Sequence, residues 1–250
     1  MPSFRYDGVE IAYLDQGAGE PIVLVHGFAS NKETNWVVPG WVSALKGAGR
    51  RVIALDNRGH GASTKFYDPA DYALAKMGGD VVALMDHLKI ARADVLGYSM
   101  GARITGYIAS AHGARVRSAI LGGIGIRLIG GGGNAEVIAV GLEAPSRAEV
   151  RDPLALGFRL FAEQTRSDLK ALAACMRVPT RTITREAAAS IRVPVLIATG
   201  TADDIAGAGQ PLAALIPGAE VLDIPGRDHM RSVGDPVFKQ GVIDFLARRA

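Results

Sequence analysis

The sequence predicts an α/β fold in which helices flank a mainly parallel central sheet and a helical cap is inserted into the chain. Short runs rich in valine, isoleucine and leucine alternate with longer stretches that are compatible with helices. These runs lack a regular alternation of apolar and polar residues, which is typical of strands buried on both faces of a parallel sheet. Between residues 124 and 192 such runs are absent. With 250 residues, 48% of them hydrophobic, the chain is long enough to bury one large core.

The individual elements follow from local patterns along the chain. The first residues predict a hairpin with Asp7 and Gly8 at its turn, because this dipeptide is typical of a tight two-residue turn. The six predicted strands after it are PIVLV (21–25), RVIAL (51–55), ADVLGY (93–98), RSAILGG (117–123), VPVLIATG (193–200) and AEVLDIP (219–225). The predicted helices between and after them cover residues 36–48, 71–88, 99–112, 207–216 and 235–248.

The chain is expected to divide into a core, residues 1–123 and 193–250, and a cap, residues 124–192. The cap is predicted to consist of short helices at EVIAVGLEA (136–144), PLALGFRLFAEQ (153–164) and DLKALAACM (168–176). Leu156 and Phe161 are expected to lie on its apolar face, toward a substrate. Because the cap is rich in leucine, isoleucine, phenylalanine and alanine, it predicts a largely apolar binding pocket.

A glycine-rich stretch stands at the start of the predicted cap. Gly130, Gly132 and Ala135 fit the spacing of a dinucleotide-binding fingerprint. That fingerprint has meaning only between a strand and a helix in a strand-helix-strand unit, and no strand follows here. We therefore interpret residues 123–133 as one hinge of the cap and residues 191–195 as the other.

Composition excludes several classes of protein. The net charge is only +3 and the 28 basic residues are dispersed, whereas nucleic-acid binding needs a clustered basic face. No apolar stretch approaches the roughly 18 residues of a membrane span, and the first residues lack the pattern of a secretory signal. Cys175 is the single cysteine, which excludes an internal disulfide and a cysteine metal cluster. We expect a soluble, cytoplasmic protein with a small-molecule partner and neither a nucleic-acid nor a membrane partner.

A serine stands between two glycines where one predicted strand ends. The motif GYSMG (97–101) follows an apolar run and precedes a predicted helix, which is the sequence of a strand, a sharp turn and a helix. Gly97 and Gly101 would let the backbone bend tightly and would place the Ser99 hydroxyl in a cleft. Since the chain contains 31 glycines, the motif needs independent partners before it indicates a nucleophile.

Partners for this serine lie near the carboxyl end of the chain. A serine hydroxyl becomes a nucleophile when a base takes its proton and a carboxylate orients that base. His229 is the one histidine downstream of Ser99 and of the helix that follows it, and it stands in a loop after the last strand. Asp203 and Asp204 follow the preceding strand. The ends of parallel strands meet at one edge of a sheet, so these side chains are expected to lie near Ser99.

With these residues the sequence resembles the α/β-hydrolase family over residues 10–122 and 193–250. The motifs that carry the resemblance are VHGF (25–28), DNRGHGAS (56–63), GYSMG (97–101) and the acid and histidine loops. In such members the acid lies three residues after a glycine at a strand end, which favours Asp203 over Asp204. The resemblance implies an α/β-hydrolase fold with a catalytic triad of Ser99, Asp203 and His229.

The site also needs donors for the oxyanion that forms when a serine attacks a carbonyl group. The amide of Met100 follows from the geometry of the turn, and the resemblance implies the amide of Phe28 as the second donor. Phe28 is also expected to line the pocket. His26 is expected to hold the oxyanion loop by hydrogen bonds, and Arg58 and His60 are expected to support the site without taking part in a catalytic step.

These residues predict a serine hydrolase that cleaves carboxylic esters through an acyl-enzyme. Its substrates are expected to be small to medium in size and largely apolar, and neither a metal nor an organic cofactor is expected. The serine separates the chain from related haloalkane dehalogenases and epoxide hydrolases, which carry an aspartate at that position. The same triad serves enol-lactonases, perhydrolases and carbon-carbon bond hydrolases, and the fold also occurs in non-catalytic small-molecule receptors. The sequence leaves these alternatives and the oligomeric state open.

Overall fold

A computed structural model describes residues 2–131, 133–179 and 182–249, and an eight-stranded sheet forms the centre of this part of the chain. The strands are β1 Ser3–Tyr6, β2 Val9–Gln16, β3 Glu20–Val25, β4 Arg50–Leu55, β5 Ala93–Tyr98, β6 Val116–Gly122, β7 Val195–Gly200 and β8 Glu220–Ile224. Their order in the sheet is β1-β2-β4-β3-β5-β6-β7-β8. Strands β1 and β2 are antiparallel to their neighbours, and β3 to β8 are parallel. The predicted fold class is confirmed.

Helices flank this sheet and fill the connection between β6 and β7. They are α1 Trp41–Gly47, α2 Leu74–His87, α3 Met100–Ala111, α4 Arg127–Gly130, α5 Ala135–Glu143, α6 Pro153–Gln164, α7 Leu169–Met176, α8 Arg185–Ala189, α9 Gly209–Ala213, α10 His229–Ser232 and α11 Pro236–Arg248. The predicted helix over 36–48 is divided in two. A π-helical turn at Glu33–Val37 is separated from α1 by Gly40, whose φ of 82° interrupts the helix.

The two edges of the sheet differ in how well the sequence predicted them. At one edge Tyr6 pairs with Val9, so Asp7 and Gly8 form the predicted two-residue turn, with φ of 45° and 75°. At the other edge β8 was predicted as a strand buried on both faces, and this is wrong. Only Ile224 of its five residues is buried, because β8 has a single neighbouring strand. Val221 and Leu222 are half-buried on opposite faces, against α9 and α11.

Both faces of the central strands are apolar, which explains the missing alternation in the sequence. In β3, Val23 and Val25 belong to the core cluster on one face, whereas Ile22 and Leu24 belong to the cluster on the other. Each fully buried aliphatic side chain of this kind stabilises the fold by roughly 1.5–3 kcal/mol. The central strands are therefore packed on both faces. The loops at the carboxyl ends of the strands carry polar residues, among them Ser99, Asp203 and His229.

Between β6 and β7 the described residues form α4 to α8 and no strand. Helix α5 packs against both α6 and α7, and the side chains of Asp152 and Asp168 cap α6 and α7 by accepting from backbone amides. Whether residues 124–192 behave as a separate cap stays a prediction, and Gly132 of the predicted hinge lies outside the described residues. Within the described ranges, every helix is too short or too polar to cross a lipid bilayer.

Candidate active site

Ser99 lies on the sharp turn between β5 and α3. Its backbone has φ of 53° and ψ of −110°, a sparsely populated conformation that costs on the order of 1–3 kcal/mol. Gly97 and Gly101, on either side of Ser99, let the turn pack closely against neighbouring backbone. A Cβ atom on Gly97 would lie 2.1 Å from the Gly101 carbonyl oxygen, and one on Gly101 would lie 1.9 Å from that of Val25. The motif GYSMG therefore reflects close backbone packing beneath a half-buried serine.

The structure brings Ser99, His229 and Asp203 together in one hydrogen-bonded chain. The Nε2 atom of His229 lies 2.9 Å from the Ser99 Oγ, and its Nδ1 atom lies 2.8 Å from an Asp203 carboxylate oxygen. Because a carboxylate only accepts, Nδ1 carries the proton and Nε2 is left as an acceptor facing the serine hydroxyl. This arrangement can remove a proton from Ser99.

The two neighbouring aspartates have different surroundings. The second carboxylate oxygen of Asp203 accepts hydrogen bonds of 2.9 Å from the amides of Ile205 and Ala206, and the side chain is fully buried. Asp204 is exposed to solvent. The loop after β7 thus fixes the Asp203 carboxylate against the imidazole and leaves the Asp204 side chain in water.

Two backbone amides next to Ser99 are available as donors. Met100 is the first residue of α3, so its N–H is one of those that a helix leaves without an internal acceptor. Among the described residues, neither the Met100 amide nor the Phe28 amide donates a hydrogen bond to the protein. Both residues line the cavity that contains Ser99. Two such donors can stabilise the negative charge of a tetrahedral intermediate.

His26 holds the oxyanion loop, which we define as residues 26–30. Its Nε2 atom accepts a hydrogen bond of 3.0 Å from the Asn57 amide, so Nδ1 carries the proton and donates to the Gly27 carbonyl oxygen at 2.7 Å. Burial lowers the pKa of His26, which keeps the ring neutral. On the other side of the loop, the Gly27 amide donates to the Oδ1 atom of Asn35 at 3.0 Å.

His60 and Arg58 lie behind this loop and outside hydrogen-bond distance of Ser99. The His60 ring packs edge-on against His26 and Phe28, and burial lowers its pKa to about 3. Arg58 forms an ion pair with Asp80. These contacts fit the supporting role expected for both residues.

The serine opens into a cavity of about 320 Å³. One wall comes from helices between β6 and β7, through apolar side chains that include Ile138, Leu154, Phe158, Phe161 and Met176. Phe28 and Phe158 meet edge to face across the cavity, with ring centroids 5.7 Å apart. The placement of Leu156 toward the substrate is wrong, because Leu154 and Phe158 face the cavity from that part of α6 instead.

Sequence reasoning missed four polar side chains at the site. Thr165 reaches the oxyanion loop, and Arg103 and Arg127 line the cavity. The Nδ2 atom of Asn35 is buried and has no hydrogen-bond partner among the described residues. One signal was present: Arg127 is the only charged residue between positions 119 and 135 of an otherwise apolar and glycine-rich stretch.

The sequence of this chain is similar to those of several known proteins. The model of the alpha/beta hydrolase fold family matches residues 20–129. The non-heme chloroperoxidase CPO-A1 of Kitasatospora aureofaciens is 37% identical over 119 residues, which are 46% of this chain and 40% of that protein. BpoC of Mycobacterium tuberculosis, which is named as a non-heme bromoperoxidase, is 29% identical over 248 residues, covering 89% of this chain and 91% of BpoC.

A solved structure extends the likeness over the whole chain. The enol-lactonase from Burkholderia xenovorans LB400 matches with a TM-score of 0.83 and 27% identity, covering 99% of this chain and 100% of that one. The shared stretch in the chloroperoxidase is shorter than two thirds of that relative. BpoC and the enol-lactonase are each matched over more than nine tenths of their own length.

Proposed function

We propose that this chain, which belongs to the α/β-hydrolase fold superfamily, is a serine hydrolase that cleaves carboxylic esters through an acyl-enzyme. The observation that carries the proposal is the chain of hydrogen bonds from Ser99 through His229 to Asp203, with distances of 2.9 Å and 2.8 Å. The serine opens into a cavity and stands beside two backbone amides that donate to no group in the described part of the chain. Nucleophile, base, orienting acid and oxyanion donors are thus the complete set that acyl transfer requires.

The proposed reaction proceeds in two balanced steps. His229 takes the Ser99 proton while Oγ attacks the ester carbonyl carbon, and the amides of Phe28 and Met100 hold the resulting oxyanion. Asp203 stabilises the imidazolium. The carbon–oxygen bond to the alcohol then breaks as His229 gives its proton to that oxygen. Water attacks the acyl-enzyme in the same way, and the acid and free serine are released.

The volume of the cavity fits substrates of small to medium size. Its volume of about 320 Å³ is at the lower end of the range for small-molecule sites. Phenylalanine, leucine, isoleucine and methionine side chains form most of the wall opposite the serine. Apolar surface of this kind favours aliphatic or aromatic portions of an ester.

A lactone is the second candidate substrate. The likeness to an enol-lactonase extends over 99% of this chain. A lactone is an internal ester, so the same attack by Ser99 opens the ring and the leaving alcohol stays attached to the acyl group. Lactone substrates therefore need no further catalytic residue.

The test is a panel of p-nitrophenyl esters of rising chain length, with aliphatic and enol lactones alongside, assayed on wild type, Ser99→Ala and Ser110→Ala. Ser110 lies at the far end of α3, and its hydroxyl donates a hydrogen bond to the Tyr107 carbonyl oxygen. Ser110→Ala is therefore a matched control, since it removes a serine hydroxyl from the helix that follows Ser99. A fluorophosphonate probe should label wild type and Ser110→Ala but not Ser99→Ala. A wild-type protein that is folded, unlabelled and inactive on the whole panel would contradict the proposal and favour a receptor.

A further inference from the structure

Among the described residues, two arginines and no aspartate or glutamate line the largely apolar cavity. Arg103 and Arg127 reach it from α3 and from the start of α4. The other lining residues of the described chain are apolar or uncharged polar residues, together with the His229 ring that faces Ser99. The cavity therefore carries a positive charge that the proposed attack on an ester carbonyl does not use.

The side chain of Arg103 contacts the backbone of Arg127, and Arg103 lies on the helix that begins next to the nucleophile. Arg103 follows Ser99 by four residues, which places its Cα about 6 Å farther along the helix axis. Its guanidinium donates a hydrogen bond of 2.7 Å to the Arg127 carbonyl oxygen. This contact joins α3 to α4 and keeps both arginines at the same end of the cavity.

Arg127 differs from the other buried arginines of the fold. Arg50, Arg58 and Arg159 each lie within 4.0 Å of a carboxylate oxygen. Arg127 is half-buried and has no such carboxylate among the described residues, while the stem of its side chain packs near Gly207. A partly desolvated guanidinium without a counter-ion is unfavourable, and an anionic ligand would compensate for its lost hydration.

The amino-terminal end of α5 also lines the cavity. Asn134 and Ala135 both line it, and the Asn134 side chain does not cap the helix. The first N–H groups of a helix carry partial positive charge and favour a nearby anion. This helix end adds to the positive potential that the two guanidinium groups create.

We propose that Arg127, together with Arg103 and the start of α5, forms a subsite for a carboxylate group of the substrate. The favoured substrates are then esters or lactones that carry a free carboxylate several bonds away from the carbonyl carbon that Ser99 attacks. The proposal rests on the proposed hydrolase function for its reaction, but the subsite itself binds an anion whether or not turnover occurs. An Arg–carboxylate contact of this kind changes binding by roughly 10- to 100-fold.

The kinetic test compares each carboxylate with a neutral molecule of the same shape. Monomethyl adipate is paired with methyl adipamate, and acetoxyhexanoate with acetoxyhexanamide, so the charge lies on the acyl side in one pair and on the alcohol side in the other. For wild type, kcat/KM is expected to favour the carboxylate at least tenfold in one of the pairs. A ratio near one in both pairs overturns the proposal.

Variants of Arg127 test whether this residue causes the preference for the carboxylate over the neutral substrate. Arg127→Gln is expected to bring the ratio toward one, and Arg127→Lys is expected to keep part of it, because a lysine retains the charge without the planar pair of donors. Arg185→Gln removes the same charge from the exposed surface of α8 and should keep the wild-type ratio. Circular dichroism and the melting temperature establish that each variant is folded. A full preference in folded Arg127→Gln overturns the assignment.

Binding to Ser99→Ala separates this proposal from the proposed hydrolysis. Calorimetric titration of that variant with monomethyl adipate and with methyl adipamate measures recognition without turnover. Tighter binding of the carboxylate that is lost in the Ser99→Ala/Arg127→Gln double variant supports the subsite even if wild type hydrolyses no ester. Equal binding of the carboxylate and the amide contradicts the subsite even if wild type is an active esterase.

Discussion

The hydroxyl oxygen of Thr165 lies 2.8 Å from the carbonyl oxygen of Ala29, so the end of α6 contacts the oxyanion loop. The carbonyl oxygens of Phe161 and Ala162, within the helix itself, are farther from that hydroxyl, at 3.1 Å. Ala29 has φ of 57°, a left-handed conformation that an alanine seldom adopts. A helix from the connection between β6 and β7 thus helps to hold the backbone that carries the Phe28 amide.

Removing this hydroxyl should slow turnover. Thr165→Val keeps the volume of the side chain and deletes the hydroxyl, which contacts both the Ala29 carbonyl oxygen and, at 2.9 Å, the Ser167 hydroxyl. The hydrogen bond to the loop is worth about 0.5–1.5 kcal/mol, which corresponds to roughly a two- to tenfold decrease in kcat. KM should change less, because the loop is proposed to act on the transition state. Thr165→Ser should restore kcat. Identical kcat in wild type and Thr165→Val would show that the contact does not position the loop.

The two aspartates after β7 offer a matched pair of variants. Asp203→Asn should lower kcat by about 10⁴-fold, because an amide can force the wrong tautomer on His229. Asp204→Asn, which changes an exposed side chain, should have a much smaller effect. Steady-state kinetics on one p-nitrophenyl ester measures both. A larger loss in Asp204→Asn would mean that the acid is assigned to the wrong residue.

The buried histidines predict a loss of stability in mild acid. Burial lowers the pKa of His26 and lowers that of His60 to about 3, whereas a histidine in an unfolded chain titrates near pH 6.5. Below about pH 6.5 the unfolded state therefore binds more protons than the native state, and the free energy of unfolding falls. For His60 the slope approaches about 1.4 kcal/mol per pH unit, and His26 adds to it in the same direction.

Urea unfolding between neutral pH and about pH 5 measures this slope, over a range in which most ordinary carboxylates stay ionised. His60→Gln removes one titrating group and should give a shallower dependence than wild type, whatever its stability at neutral pH. If the two proteins lose stability in parallel, the native state already accommodates a protonated His60.

The wall formed by α6 predicts control of chain-length preference. Phe161→Trp enlarges a side chain that lines the cavity, so kcat/KM for a medium-length ester should fall relative to a short ester. Leu156→Trp is the control on the same helix, because Leu156 is not among the residues that line the cavity. A ratio that is unchanged in folded Phe161→Trp would show that this wall does not select the substrate.

The parts of the site that the sequence could predict are those carried by the sheet. Ser99, Asp203 and His229 each follow a strand of strong local pattern, and the carboxyl ends of parallel strands converge whatever the remaining chain does. The contacts of Thr165 and Arg127 depend on how the helices between β6 and β7 pack, and no local periodicity encodes that packing. For the same reason Leu156 was placed on the wrong side of α6.

In the proposed reaction Ser99 carries the acyl group during turnover. Wild type is mixed with p-nitrophenyl butyrate, quenched in acid within milliseconds, and examined by intact mass and peptide mass spectrometry. A butyryl group is expected on the peptide that contains Ser99, together with a burst of p-nitrophenol stoichiometric with the enzyme where deacylation is the slower step, and both should be absent in Ser99→Ala. A butyryl group on another residue, or turnover of Ser99→Ala at the wild-type rate, would contradict it.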